Sequence, residues 1–122
     1  MSNIFIVDDS MTTRSVVDDV LTNAGFNVTA CDSGMDALSK INTFTNKISL
    51  FILDVNMPGM DGISLISEIR KIDKCKFTPI LMLTTESDDS KKMEGKKAGA
   101  SGWFVKPFDP EQLINISQRF AK

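Results

Sequence analysis

The chain has 122 residues, 42% of them hydrophobic and 25% charged, with a net charge of −2 and no histidine. That length supports one core and not two, and the charge gives no bulk attraction for nucleic acid. The missing histidine excludes imidazole acid–base catalysis, histidine-containing zinc sites and a histidine phosphodonor role. No charged leader precedes an apolar stretch. No apolar run approaches the roughly 18 residues needed to span a bilayer, so a cytoplasmic protein is expected.

The first predicted element is Asn3–Val7 (NIFIV), a nearly continuous apolar run of the kind that forms a strand buried on both faces. It runs straight into Asp8 and Asp9, adjacent carboxylates whose repulsion costs stability unless something offsets it. Ser10 can cap a helix from Met11 to about Asn23, with Val16, Val17, Val20, Leu21 and Ala24 on one face and Gly25 ending it. Asn27–Cys31 (NVTAC) alternates more evenly, as an edge strand does, and a second helix covers about Met35–Thr43. Leu50–Leu53 (LFIL) is the third strand, followed by Asp54, Val55 and Asn56 and then the loop MPGMDG.

Asp61 or Gly62 starts a third helix, with Ile63, Ile66, Ile69 and Arg70 at helical spacing. Pro79–Leu83 (PILML) is the fourth strand, with Thr84 and Thr85 just beyond it. Ser87 or Asp88 can start a fourth helix that ends at Gly99, and its Lys91, Lys92, Lys96 and Lys97 read as a solvated face. Gly102–Val105 (GWFV) is the fifth strand, with Lys106 and Pro107 following. Asp109 then caps a last helix that Pro110 opens, carrying Leu113, Ile114, Ile116 and Phe120. The methionines at 57, 60, 82 and 93 read as core or loop fillers.

This alternation predicts a single doubly wound α/β domain over residues 1–122, a (βα)5 unit with a five-stranded parallel sheet and right-handed crossovers. Cys31 and Cys75 then fall at opposite ends of the sheet. A five-residue strand spans about 16 Å, whereas a disulfide needs Cα atoms within about 7 Å. Two free thiols are expected, which fits a reducing compartment.

Open α/β sheets bind ligands beyond the carboxyl ends of their strands. Asp8, Asp9, Asp54, Thr84 and Lys106 all fall there, from four different strands. Singly, each reads as a cap, a turn residue or a surface group. Together they describe a site, because clustered carboxylates raise one another's pKa unless a cation neutralises them. With oxygen donors only, a hard divalent ion such as Mg²⁺ is the natural choice. A carboxylate beside such an ion and a lysine can also attack a phosphoryl group. Asp54, ending a central strand, is the candidate nucleophile.

The segments VDDS (7–10), LDVNMPGMDG (53–62), LTTE (83–86) and FVKPF (104–108) together resemble the receiver domain of two-component response regulators. In detail they are most similar to stand-alone chemotaxis regulators of the CheY type, and the resemblance runs over essentially the whole chain. It implies a flavodoxin-like, CheY-like fold with strand order 2-1-3-4-5 and no output domain. It implies that Asp54 accepts a phosphoryl group from a sensor histidine kinase of the CheA kind. Asp9 and Asp54 would ligate Mg²⁺ directly, Asp8 through a metal-bound water, and Asn56 through its main-chain carbonyl. Lys106 would contact a phosphoryl oxygen, and Thr84 would move to bond the phosphoryl group. Trp103, where the family more often has Tyr or Phe, would then turn inward as the second switch residue. Asn56 and Glu86 stand where loss of the phosphoryl group is tuned, and the Lys106–Pro107 bond resembles a cis peptide in the family.

The implied function is a monomeric regulator that signals by binding a target, such as a flagellar motor switch protein, and is reset with or without a phosphatase. It would catalyse its own phosphorylation and dephosphorylation with Mg²⁺ but has no separate substrate, so an enzyme in the ordinary sense is not expected. Nucleic-acid and membrane partners are not expected either. A phosphorelay intermediate or a phosphate sink is the alternative. An aspartyl-phosphate phosphohydrolase of the haloacid dehalogenase type fits less well, because Asn56 stands where its acid–base aspartate would be.

Overall fold

The computed structural model describes residues 2–85 and 89–121. Strands β1 (Asn3–Val7), β2 (Asn27–Cys31), β3 (Leu50–Asp54), β4 (Ile80–Thr84) and β5 (Gly102–Val105) alternate with helices α1 (Met11–Asn23), α2 (Gly34–Thr43), α3 (Gly62–Arg70), α4 (Asp89–Ala98) and α5 (Pro110–Phe120). A short 3₁₀ turn, Asp73–Cys75, precedes β4. The strands form one parallel sheet in the order β2-β1-β3-β4-β5, as expected.

Alternate side chains of these apolar strands feed two cores, as a sheet covered on both faces requires. Phe5, Phe51, Leu53 and Met82 meet Ala37 and Ile41 of α2 and Leu65, Ile66 and Ile69 of α3. Ile4, Ile6, Ile52, Leu81 and Phe104 meet Val17 and Leu21 of α1 and Leu113 of α5. The expected α1 face is too wide by one residue: Val16 is 43% exposed, and the buried stripe is Val17 and Leu21. Met57 and Met82 are buried as expected, whereas Met93 lies on the surface. In α4, Gly95 is the buried residue, and a Cβ there would run into the Met82 thioether.

Caps sit where the sequence placed them. The Ser10 hydroxyl accepts from the Thr13 N–H at 3.3 Å, the Asp61 carboxylate from Ser64 at 2.7 Å, and the Asp109 carboxylate from Glu111 at 3.0 Å. Helix α2 begins at Gly34, one residue early, because Ser33 caps it through the Asp36 N–H. The expected start of the fourth helix at Ser87 or Asp88 lies outside the described residues.

Two strand ends differ from expectation in a way that matters. Pro79 lacks an N–H and stays outside β4, although its carbonyl still accepts from Phe51. At the other end, Val55 donates to Leu83 O and Lys106 donates to Thr84 O, so the ladder runs one residue further. Asp54 and Thr84 are therefore the last residues of their strands, not the first of their loops. Their backbones are fixed by the sheet. Both cysteines are free and buried, and burial pushes the Cys31 thiol up to about 12 and the Cys75 thiol upward as well, which keeps them unreactive.

Candidate functional site: an acidic pocket at the carboxyl end of the sheet

Strand order reverses between β1 and β3, which leave the sheet side by side and then send their helices to opposite faces. Asp8 and Asp9 follow β1 and Asp54 ends β3, so the crevice opens between three carboxylates. One carboxylate oxygen from each of the three lies within 4.8 Å of the others. Asp9 is exposed, while Asp8 and Asp54 are buried, at 2% and 6% exposure.

Each buried carboxylate is held from several sides. Asp8 Oδ1 accepts from the Ser10 N–H at 2.8 Å, and its Oδ2 lies 3.2 Å from Lys106 Nζ. The Asp8 main chain is fixed too, since its N–H donates to Cys31 O and its carbonyl accepts from Arg14 Nη1 at 2.7 Å. Asp54 Oδ1 accepts from the Asn56 N–H at 3.3 Å and lies 3.5 Å from Lys106 Nζ. Lys106 thus bridges the two buried acids from the end of β5. The Lys106–Pro107 peptide is cis, in line with the resemblance.

Burial, then the Asp8 charge, push the Asp54 carboxyl up to about 6, and Lys106 and the Asn56 N–H offset only part of that. One ammonium does not neutralise three carboxylates. The donor set is all hard oxygen, and a divalent cation fits the uncompensated charge. Such an ion would restore Asp54 to a fully ionised carboxylate at neutral pH.

Thr84 is buried, and its hydroxyl donates to the Phe104 carbonyl of β5 at 3.1 Å. Trp103 pairs in register with Met82, two residues before the Thr84–Val105 pair. Its indole is 38% exposed and lies under two cations of α4, with Lys92 Nζ 5.7 Å and Lys96 Nζ 6.0 Å from the ring centroid. The same indole borders an open depression of about 700 Å³ shared with Gln112, Ile116 and Arg119 of α5. Asp8, Asp9, Asp54 and Lys106 are therefore brought together, Thr84 stands at the next strand end, and Trp103 faces away toward α4. The Asn56 side chain is exposed. Glu86 lies outside the described residues.

Two contributors escaped the sequence reading. Arg14 anchors the Asp8 carbonyl from one turn into α1, and nothing in an isolated arginine signals that role. Gly62 opens α3 against the end of β3, where a Cβ would collide with the Asp54 carbonyl oxygen and Val55 Cα. Its N–H donates to Val55 O at 3.1 Å. A glycine at the first helical position, where Pro or a good helix former is favoured, was the available signal. No helix among the described residues is long and apolar enough to cross a membrane.

Residues 4–118 match the family described as the response regulator receiver domain. Chemotaxis protein CheY-3 of Vibrio cholerae serotype O1 is 40% identical over 121 residues, covering 95% of this chain and 92% of that protein. The crystallised chemotaxis protein CheY4 of Vibrio cholerae superposes with a TM-score of 0.92 at 44% identity, covering 98% of both chains. The probable transcriptional regulator ycf29 of Porphyra purpurea is 32% identical over 114 residues, which are 93% of this chain. The chain spans about half of that longer relative, 54% of its length.

Proposed function

This chain belongs to the response regulator receiver domain family, and from that premise we propose that it is a phosphorylation-activated regulator of chemotaxis. In this reading it takes a phosphoryl group from a sensor histidine kinase onto Asp54 and signals by binding a target protein. The observation that carries the proposal is the gathering of Asp8, Asp9, Asp54 and Lys106 in one pocket at the strand-order reversal. The chemotaxis assignment is supported by the two Vibrio cholerae chemotaxis proteins named above, of which this chain covers 92% and 98%.

Asp9 and Asp54 would hold Mg²⁺ with the main-chain carbonyl of Asn56, and Asp8 through a water. The ion would supply neutralisation of carboxylate and phosphoryl charge. An Asp54 carboxylate oxygen attacks phosphorus as the phosphorus–nitrogen bond of the phosphohistidine breaks, giving an acyl phosphate. Lys106 already lies 3.2 and 3.5 Å from the two buried acids, so it needs only a small shift to a phosphoryl oxygen. The Thr84 hydroxyl exchanges its bond to the Phe104 carbonyl for one to the phosphoryl group, and Trp103 turns from its place under Lys92 and Lys96 toward the space vacated. The face formed by α4, β5 and α5 then docks the target, with a flagellar motor switch protein the expected one. Asn56 and Glu86 set the lifetime of the phosphoryl group, with or without a phosphatase. The regulator would act as a monomer in the cytoplasm.

The test is intact-mass spectrometry after incubation with acetyl phosphate and Mg²⁺. A single phosphoryl gain is expected in the wild type and none in Asp54→Asn. A gain that persists in Asp54→Asn would overturn the assignment. Binding of the beryllofluoride-activated protein to a flagellar switch protein, measured against Lys106→Ala, separates motor control from a phosphate-sink role.

A further inference from the structure

The amino end of the sheet carries a feature that phosphorylation chemistry does not use. Phe77, in the loop before β4, is 92% exposed, the highest value for any large hydrophobic side chain among the described residues. The loop that presents it is fixed. Arg70 Nη1 donates to the carbonyls of Cys75 at 2.9 Å, Lys76 at 3.3 Å and Thr78 at 2.7 Å, on both sides of Phe77. The Thr78 N–H adds a bond to Cys75 O. The phenyl ring is held outward by its backbone and is not a fraying end.

Beside it lies a groove of about 270 Å³ whose apolar walls include Ile48, Phe77, Pro79 and Phe120. Its rim is basic. Lys47 lines it, exposed Lys71 and Lys76 flank the same loop, and Lys74 lines it with its ammonium bonded to the Ile41 and Phe44 carbonyls at 2.7 and 2.6 Å. Against them stand Asp73, and Glu68, which is paired with Lys71. This surplus of positive charge sits on a chain whose net charge is −2. The carboxylate pocket occupies the opposite end of the strands, about 16 Å away for a five-residue strand.

We propose that this end of the sheet is a second docking surface, which takes an acidic segment of a partner protein carrying an aromatic or aliphatic anchor. An exposed aromatic on a fixed loop beside a small apolar groove concentrates binding energy, because little loop entropy remains to be lost. The lysine rim selects for negative charge and speeds encounter. Because the surface is remote from Asp54, it binds the partner equally in both phosphorylation states. It therefore tethers the regulator to a partner without reporting the signal.

The test is a selection of phage-displayed random dodecapeptides on the full chain, with counter-selection on Phe77→Ser. Surviving peptides are expected to be rich in Asp and Glu around an aromatic or aliphatic residue. One of them, synthesised and titrated into ¹⁵N-labelled protein, should shift the amides of Lys47, Phe77 and Phe120. Its affinity should fall at least tenfold in Phe77→Ser and in Lys47→Glu/Lys76→Glu, and change less than twofold with Mg²⁺ and beryllofluoride. Circular dichroism of both variants checks that the exposed substitutions leave the fold intact. The proposal is overturned if no peptide survives counter-selection, if survivors lack acidic residues, or if heparin competes as well as the peptide. A dimer in sedimentation equilibrium that Phe77→Ser dissolves would assign the surface to a second copy instead and equally overturn it.

Discussion

At the scale of single residues, the site is defined by charge that the chain alone does not balance. The Asp54 carboxyl titrates near 6 in the fold against an ordinary value of 3.8, so the native state binds its proton more tightly than the unfolded chain does. The metal-free protein therefore holds this contribution in full below pH 3.8 and loses it as pH rises through about 6. Asp54→Asn removes the effect. It is expected to be more stable than the wild type by about 1–3 kcal/mol at pH 7 without Mg²⁺, and nearly equal to it near pH 4. Urea titrations across that range read the difference, and a wild type that gains stability toward pH 7 would contradict it. A second residue carries an unmet bond. The Ser117 hydroxyl in α5 is fully buried and has no hydrogen-bond partner among the described residues. Ser117→Ala should raise stability by about 1 kcal/mol, read from the same denaturation midpoint.

At the scale of elements, the approach of α3 to β3 and of α4 to β5 positions the chemistry. Gly62 lets α3 begin against the Asp54 backbone. Gly62→Ala should cost about 1–3 kcal/mol by overpacking, and it should slow phosphorylation by acetyl phosphate because the added methyl displaces Asp54, the proposed phosphoacceptor. Normal phosphorylation kinetics in this variant would remove Gly62 from the site. On the other edge, Lys92 and Lys96 cover the indole of Trp103. Cation–π contacts at exposed sites are worth about 0.5–1 kcal/mol each, so the pair biases the ring outward by roughly fivefold to thirtyfold. Lys92→Gln/Lys96→Gln should move Trp103 inward without phosphorylation, giving a blue-shifted emission and weaker acrylamide quenching. Stronger quenching would mean that the ring stays put and has only lost its cover. Trp103 is the single tryptophan and tyrosine is absent, so the signal is unambiguous.

At the scale of the whole molecule, the sheet assembles one pocket from distant parts of the chain, and a cation should tighten the assembly. Mg²⁺ at 100 times its dissociation constant should add about 2.7 kcal/mol, and Asp9→Asn should lose most of that gain in a thermal melt. The fold was legible in the sequence because parallel strands buried on both faces give continuous apolar runs such as NIFIV and LFIL, with caps and turns between them. The carboxylates and Lys106 were legible because the topology sends every strand end to one edge. What stayed hidden was decided by tertiary geometry. Asp54 and Thr84 proved to be ladder residues because neighbouring strands supplied one more bond each. Val16 lies one position outside the stripe that packs on the sheet and α5. Arg14 and Gly62 act through backbone atoms of other elements, and local pattern carries no trace of that.

Arg70 has a mechanical consequence beyond the loop it braces. Its Nε and Nη2 donate to the Gly99 carbonyl at 3.1 and 2.7 Å, just past the end of α4. Gly99 itself has φ +118°. Helix α4 is thus clamped at its carboxyl end, where the Gly99 and Ala100 N–H groups also close on the Gly95 carbonyl, and along its length it packs on α3 and sets the bare backbone of Gly95 on Met82. A ten-residue rod of this kind is a lever about 15 Å long, with its fulcrum at the amino edge of the sheet and its amino-terminal arm toward the carboxyl edge. A tilt of ~5° at the fulcrum displaces the far tip by ~1.3 Å on that length. A displacement of about that size at the carboxyl edge, passed to the amino-terminal arm, would then tilt the helix by a few degrees and move Lys92 further than Lys96, and with them the charge pattern of the outer face.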